Sequence, residues 1–81
     1  MKRFIVAIDQ GTTSSRAILF SLSGKPVYSS QKEFRQYFPK DGWVEHNPDE
    51  IWNTTKKVLI DVINKSRRLR GKILTIGITN Q

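Results

Sequence analysis

The sequence contains no cysteine among its 81 residues, and it has a single histidine. Without cysteine, neither a disulfide nor a thiolate metal site can form. Acidic residues are also scarce, because 7 Asp and Glu stand against 14 Lys and Arg, which gives a formal net charge of +7. This balance favours anionic partners such as phosphates, nucleic acid or a membrane surface, although a merely solvated basic surface has the same composition.

Long apolar runs are missing as well. The first one, FIVAI, stops at Asp9. It is shorter than the roughly 7–15 apolar residues of a signal peptide and far shorter than the roughly 20 residues of a membrane span. We therefore expect no membrane span and a cytoplasmic location. A chain this short buries only about 60 % of its unfolded surface, so it is at most one small domain, or a piece of a larger one.

What is present predicts an α/β fold in the order strand-strand-strand-helix-strand. Apolar runs rich in β-branched residues predict buried strands at about 3–9, 15–21 and 73–79. A more polar run at about 26–35 predicts a strand near the sheet edge. The turn SLSGKP, in which Gly24 can adopt a positive φ, favours an antiparallel hairpin.

A helix is predicted over about 48–69. Asn47 is a good N-cap, Pro48 suits the first helical position, and Glu50 can close a capping box. Gly71 falls past the predicted end, where helices often terminate in glycine. One apolar stripe at helical spacing consists of Ile51, Trp52, Thr55, Val58, Leu59, Val62 and Ile63.

The strand-helix-strand succession predicts a right-handed crossover and a last strand parallel to its neighbour. One helix covers only one face of such a sheet, so we expect an N-terminal part of a larger protein. Among single residues, Trp52 is expected in the core and Asp61 on the solvated surface. Trp43 is expected to anchor its loop, and His46 is expected to have a surface or loop-packing role. The acidic pair Asp41 and Glu45 shows no sign of acid–base function.

The link between the first two predicted strands has the chemistry of a phosphate site. Asp9 stands at the carboxyl end of the first strand, where ligands gather in α/β sheets and where a carboxylate can hold Mg²⁺. Gly11 permits a tight turn, and Arg16 can form a charge-assisted phosphate contact. The hydroxyl donors between them are Thr12, Thr13, Ser14 and Ser15. These are also ordinary turn residues, so spacing alone leaves both interpretations open.

Three motifs carry a family resemblance. AIDQGTTSSRAILF, residues 7–20, resembles the first phosphate motif of the sugar-kinase branch of the actin-like ATPase superfamily. GWVEHNPDEIW and IGITNQ make the chain similar to the glycerol kinases of the FGGY carbohydrate kinase family, over residues 4–81. Related pentulose and gluconate kinases have similar elements and are the alternative. A small basic nucleic-acid-binding module is a weaker alternative, since no RNA-recognition-type aromatic motif or recognition helix is present.

The resemblance implies a two-domain enzyme with a ribonuclease-H-like core in each half, and these residues would form an incomplete part of the N-terminal domain. The enzyme would transfer the γ-phosphate of Mg-ATP to glycerol and yield sn-glycerol 3-phosphate and ADP. By position, Asp9 would hold Mg²⁺, through water, and Thr12, Thr13, Ser14 and Arg16 would contact the nucleotide phosphates. Thr12 would also lie near the product phosphate. In the family, the glycerol-binding pair and the catalytic aspartate come after the TNQ that ends at Gln81. We therefore expect no catalytic residue in these 81 positions and no activity of the chain alone. The resemblance also implies that the parent enzyme is a homo-oligomer.

Overall fold

The computed structural model describes residues 2–34, 36–37 and 45–80. Its elements are β1 (Lys2–Gln10), β2 (Ser14–Ser21), β3 (Pro26–Glu33), β4 (Gln36–Tyr37), β5 (Glu45–His46), α1 (Pro48–Arg68) and β6 (Gly71–Asn80). The predicted α/β order is confirmed, with one addition. Strands β4 and β5, which were not predicted, pair antiparallel with each other, so His46 lies in a strand rather than in a loop. Asp41 and Trp43 lie outside the described residues.

The main sheet has the strand order β3-β2-β1-β6. Strand β2 pairs antiparallel with both β1 and β3, and β6 pairs parallel with β1. The predicted hairpin and the parallel last strand are therefore confirmed, and Gly24 adopts the positive φ of 87° expected in the SLSGKP turn. Strand β1 is central, so its carboxyl end lies between the ends of β2 and β6.

Helix α1 packs on one face of the sheet, which we call the covered face. Its core consists of Phe4, Val6, Ile8, Ala17, Leu19, Val58 and Val62, all buried. Because side chains alternate along a strand, the residues between these positions in β1 and β2 lie on the other face, which we call the open face. Within residues 2–34, 36–37 and 45–80 no helix packs on the open face.

The start of α1 agrees with the sequence prediction, whereas its end differs from it. At the start, the Asn47 carboxamide oxygen accepts a hydrogen bond from the Asp49 backbone N–H at 2.9 Å, which confirms the predicted N-cap. At the end, Arg70 and not Gly71 has the positive φ, at 57°. Gly71 instead begins β6 against the ring of Phe4, which a Cβ atom at that position would overlap. The glycine is therefore required for close approach rather than for a left-handed backbone.

Two expectations about the helix surface are wrong. Trp52 is 62 % exposed, because it falls at the margin of a stripe whose centre lies at Thr55, Val62 and Ser66. Asp61 is half-buried and accepts a hydrogen bond from Ser30 Oγ at 2.6 Å, because α1 lies over β2 and β3. No helix in the described part of the chain is both long and apolar enough to cross a bilayer.

Candidate functional site

The site lies at the carboxyl end of β1, in the loop that joins it to β2. The Gly11 backbone N–H donates to the Ser14 carbonyl at 2.9 Å and closes this loop. On its outer side, the Phe34 N–H donates to the Thr13 carbonyl at 3.0 Å, and the Phe34 side chain is buried. The loop is therefore attached to the chain that follows β3 as well as to its own two strands.

Asp9 and Arg16 face each other on the open face. They are register partners in the β1–β2 ladder, and Arg16 Nη2 lies 3.4 Å from Asp9 Oδ2. Their side chains are 34 % and 45 % exposed, so water screens this ion pair and its net stabilisation is small. Both charged groups can therefore exchange their mutual contact for a ligand at little cost.

Ser14 also faces the open side, where its hydroxyl accepts a hydrogen bond from Gln31 Nε2 at 2.9 Å. Gln31 is the register partner of Arg16 on β3 and was not predicted as a site residue. Its role depends on the β2–β3 register, which contains an irregularity between Leu19 and Phe20. No local sequence signal gives that register, so sequence reasoning had no means of finding Gln31.

Thr12 and Thr13 occupy the tip of the loop, and both are exposed. The structure thus gathers the predicted residues at one end of the sheet, with Asp9 and Arg16 in direct contact and the threonines at the rim. On β6, Thr79 is the register partner of Asp9, and its hydroxyl donates to the Ile8 carbonyl at 3.4 Å. The polar cluster therefore extends across all four strands of the main sheet.

The covered face at the same end is polar too. Ser15 is fully buried, and its hydroxyl contacts those of Thr54 and Thr55 on α1. Beside it in the ladder, Gln10 has a buried Nε2 atom without a hydrogen-bond partner among the described residues. Strand alternation, readable in the sequence, places Ser15 and Gln10 opposite Asp9 and Arg16. The sequence does not show that Thr54 and Thr55 of α1 are the hydrogen-bond partners of Ser15.

The donor set fits a magnesium ion that arrives with phosphates. No group of three or more His, Cys, Asp or Glu side chains in the described ranges could form a metal cage. Asp9 supplies one accessible carboxylate beside hydroxyl groups and a cation. Mg²⁺ typically keeps several waters and takes one or two carboxylates together with substrate phosphate oxygens. Asp9 therefore suits a Mg-nucleotide rather than a structural ion.

A second concavity of about 480 Å³ lies at the opposite end of the strands. Phe4, Leu22 and Val27 give it an apolar lining, with Lys2 and Arg3 at the side. Ligands of α/β sheets bind beyond the carboxyl ends of strands. The position and side-chain chemistry around Asp9 therefore favour that end of the sheet as the ligand site.

The sequence matches a known protein family along nearly its whole length. The model of the N-terminal domain of the FGGY family of carbohydrate kinases matches residues 4–81. The chain is 58 % identical to glycerol kinase 1 of Pseudomonas aeruginosa and 57 % identical to glycerol kinase of Bacillus subtilis, over 81 residues in both cases. It covers 16 % of the length of each of these relatives.

Solved structures give the same picture. Gluconate kinase from Lactobacillus acidophilus superimposes with a TM-score of 0.88 at 27 % identity, over 100 % of this chain and 16 % of that one. Plasmodium falciparum glycerol kinase with ADP superimposes with a TM-score of 0.85 at 30 % identity, over 99 % and 16 %. The predicted actin-like ATPase fold is confirmed by these neighbours.

Proposed function

Because the chain belongs to the FGGY family of carbohydrate kinases, we propose that it forms the phosphate-binding part of an ATP-dependent glycerol kinase. The observation that carries the proposal is the open-face cluster of Asp9, Arg16 and Ser14 beside an exposed threonine loop. The reaction would consume ATP and glycerol and release ADP and sn-glycerol 3-phosphate. Cytoplasmic location and a homo-oligomeric enzyme are part of the same proposal.

Each side chain has a separate task in this proposal. Asp9 holds Mg²⁺ through water, and Arg16 turns from Asp9 to the nucleotide phosphates. Thr12, Thr13 and Ser14 donate hydroxyl hydrogen bonds to phosphate oxygens, and Thr12 also meets the phosphate of the product. Ser14 can donate because Gln31 uses only its acceptor capacity.

Phosphoryl transfer depends mainly on positioning and on neutralising charge. Bound Mg²⁺ would supply charge neutralisation at the phosphate oxygens. The residues of this chain orient those oxygens from one side and leave the other side for the acceptor alcohol. Activation of that alcohol is not assigned to any of the 81 positions, so we expect the chain alone to phosphorylate nothing.

Gluconate or xylulose phosphorylation is the second candidate, since kinases for both superimpose closely on this chain. Sequence identity favours glycerol. It is 57–58 % to the curated bacterial glycerol kinases, against 27–28 % to these two structures.

Two chimeric enzymes test the proposal. In the glycerol chimera, residues 1–81 replace the matching N-terminal segment of B. subtilis glycerol kinase, and in the gluconate chimera they replace that of L. acidophilus gluconate kinase. We expect Mg²⁺-dependent ATP consumption with glycerol in the glycerol chimera and little activity in the gluconate chimera. The inserted segment is 57 % identical to B. subtilis glycerol kinase and 27 % identical to L. acidophilus gluconate kinase, so it should pack better against the rest of the glycerol kinase. The unmodified parent enzymes are the controls. A gluconate chimera that retains more of its parent's activity than the glycerol chimera would reverse the assignment.

A further inference from the structure

Ser15 is a polar residue in an unusual place. It is fully buried, with a relative exposure of 0 %, and it follows directly after the open-face residue Ser14. Its Oγ lies 3.2 Å from Thr54 Oγ1 and 3.1 Å from Thr55 Oγ1, both in the second turn of α1. Three hydroxyl groups therefore meet where the phosphate loop enters β2.

Valence fixes the direction of these hydrogen bonds. Each hydroxyl has a single proton to donate. Thr54 donates its proton to the Ile51 carbonyl at 2.9 Å, so toward Ser15 it can only accept. Ser15 must then donate to Thr54, and Thr55 must donate to Ser15. The order of donation is Thr55 to Ser15 to Thr54 to the Ile51 carbonyl, which we call the hydroxyl chain.

A buried hydroxyl without partners is unfavourable, and an apolar side chain would fill a purely structural position on β2 equally well. The next covered-face positions, Ala17 and Leu19, are apolar as expected. Among the buried residues of β2, the only polar one therefore lies where the strand leaves the loop. Hydrogen bonds in such a chain are directional, so they fix the angle and height of β2 against α1 in a way that apolar packing does not.

We propose that Ser15 is a positioning residue for the phosphate site, acting through Thr54 and Thr55 of α1. This inference rests on the function proposed above. Strand alternation places Ser14 and Arg16 on the open face on either side of Ser15, so the hydroxyl chain sets where both of them stand. Together with the Phe34–Thr13 hydrogen bond, it gives the loop a second anchor.

The test uses three variants in the glycerol chimera. Ser15→Ala removes the central hydroxyl. Thr55→Val removes one donor and keeps the side-chain shape, whereas Thr55→Ser keeps the donor and loses a methyl group. Calorimetry measures the Kd for ADP with Mg²⁺ in the absence of glycerol, steady-state kinetics measures the KM for ATP and for glycerol, and hydrogen exchange of β1 and β2 reports whether the fold is kept.

We expect Ser15→Ala and Thr55→Val to weaken ADP binding about 10-fold, the lower end of the effect of groups that orient ligand-binding residues. The KM for ATP should rise in parallel, and the KM for glycerol should stay within about 2-fold, because only the phosphate loop loses its anchor. Thr55→Ser should bind ADP like the unsubstituted chimera. A role in packing alone would give the opposite order of the two Thr55 variants.

Three results would overturn the inference. The first is unchanged ADP affinity in a folded Ser15→Ala chimera. The second is an equal rise of the KM values for ATP and glycerol, which would indicate a general structural role. The third is an unsubstituted chimera that binds no ADP, which would remove the proposed function as well. If that chimera binds ADP but does not phosphorylate glycerol, only the proposed function fails. If Ser15→Ala does not fold, the Thr55 pair decides.

Discussion

The two faces of the β1–β2 hairpin both carry polar side chains near the loop, but these are exposed on one face and buried on the other. On the open face, Asp9 and Arg16 keep 34 % and 45 % of their side-chain surface exposed. On the covered face, one residue away in the sequence, Ser15 is buried and bonded to α1. Strand alternation thus divides this short polar motif into an accessible part, which we propose binds phosphates, and a buried part, which we propose holds the first part in place.

This division predicts two kinds of variant. Substitutions on the open face should change nucleotide binding and leave local stability intact, and most substitutions on the covered face should do the reverse. Ser15 is the expected exception, because it transmits the position of α1 to the open face.

The largest effect is expected on the covered face, from Leu19→Ala. Leu19 is fully buried in the core, and truncation of a buried leucine costs about 3 kcal/mol. Amide hydrogen exchange of β1 and β2 in the glycerol chimera should accelerate about 100-fold as a result. Leu22→Ala, at a residue that is 53 % exposed, is the matched control and should change exchange little. Similar exchange in both variants would contradict the core assignment.

Asp9→Asn should have the next largest effect, on the open face. It removes the carboxylate proposed to hold Mg²⁺, and we expect kcat/KM of the glycerol chimera to fall about 100-fold, with a higher Mg²⁺ requirement. Hydrogen exchange should not change, since the ion pair with Arg16 is solvent-screened. Asp49→Asn, an exposed carboxylate in the first turn of α1, is the control. Unchanged turnover and Mg²⁺ dependence would remove Asp9 from the site.

A smaller effect on the covered face is expected from Ser30→Ala. The change leaves the Asp61 carboxylate without its 2.6 Å donor, which should cost about 1–2 kcal/mol and accelerate exchange in β3 and α1. Ser29→Ala, the exposed neighbour on the open face, should leave exchange unchanged. Equal exchange rates in the two serine variants would show that Asp61 is solvated, as the sequence suggested.

The smallest effect is expected from Gln31→Ala on the open face. Loss of one neutral, exposed hydrogen bond to Ser14 should weaken ADP binding about 3-fold, which corresponds to about 0.7 kcal/mol. Calorimetry on the glycerol chimera measures it, and Ser29→Ala serves again as the reference. Tighter ADP binding in Gln31→Ala would indicate that Gln31 restrains Ser14 rather than presenting it.

Sequence reasoning reached the fold because local signals and global packing agree in most of this chain. The apolar runs of β1 and β6, Gly24 in its turn and Asn47 at its cap each act through neighbours a few residues away. Asp9 and Arg16 could be predicted as site residues for the same reason, since both flank one tight loop. What escaped depends on contacts between distant segments.

Arg70 and Gly71 illustrate that limit. A glycine after a helix predicts a left-handed residue, but here Phe4, 67 positions earlier, requires the glycine one residue later for its own ring. Asp61 was misjudged in the same manner, because its partner Ser30 belongs to an earlier strand. Gln31, Thr54 and Thr55 carry no local signature at all, and only the assembled sheet and helix bring them to the site.

The central place of β1 has a consequence for synthesis. Its antiparallel neighbour β2 is synthesised directly after it, whereas its parallel neighbour β6 is complete only about 70 residues after the end of β1. At about 5–20 residues per second, translation takes roughly 4–14 s over that distance. For that interval a nascent strand as apolar as FIVAI keeps one edge unpaired, which invites pairing with other growing chains. The speed of translation between Gln10 and Asn80 is therefore expected to affect how much of this protein folds correctly.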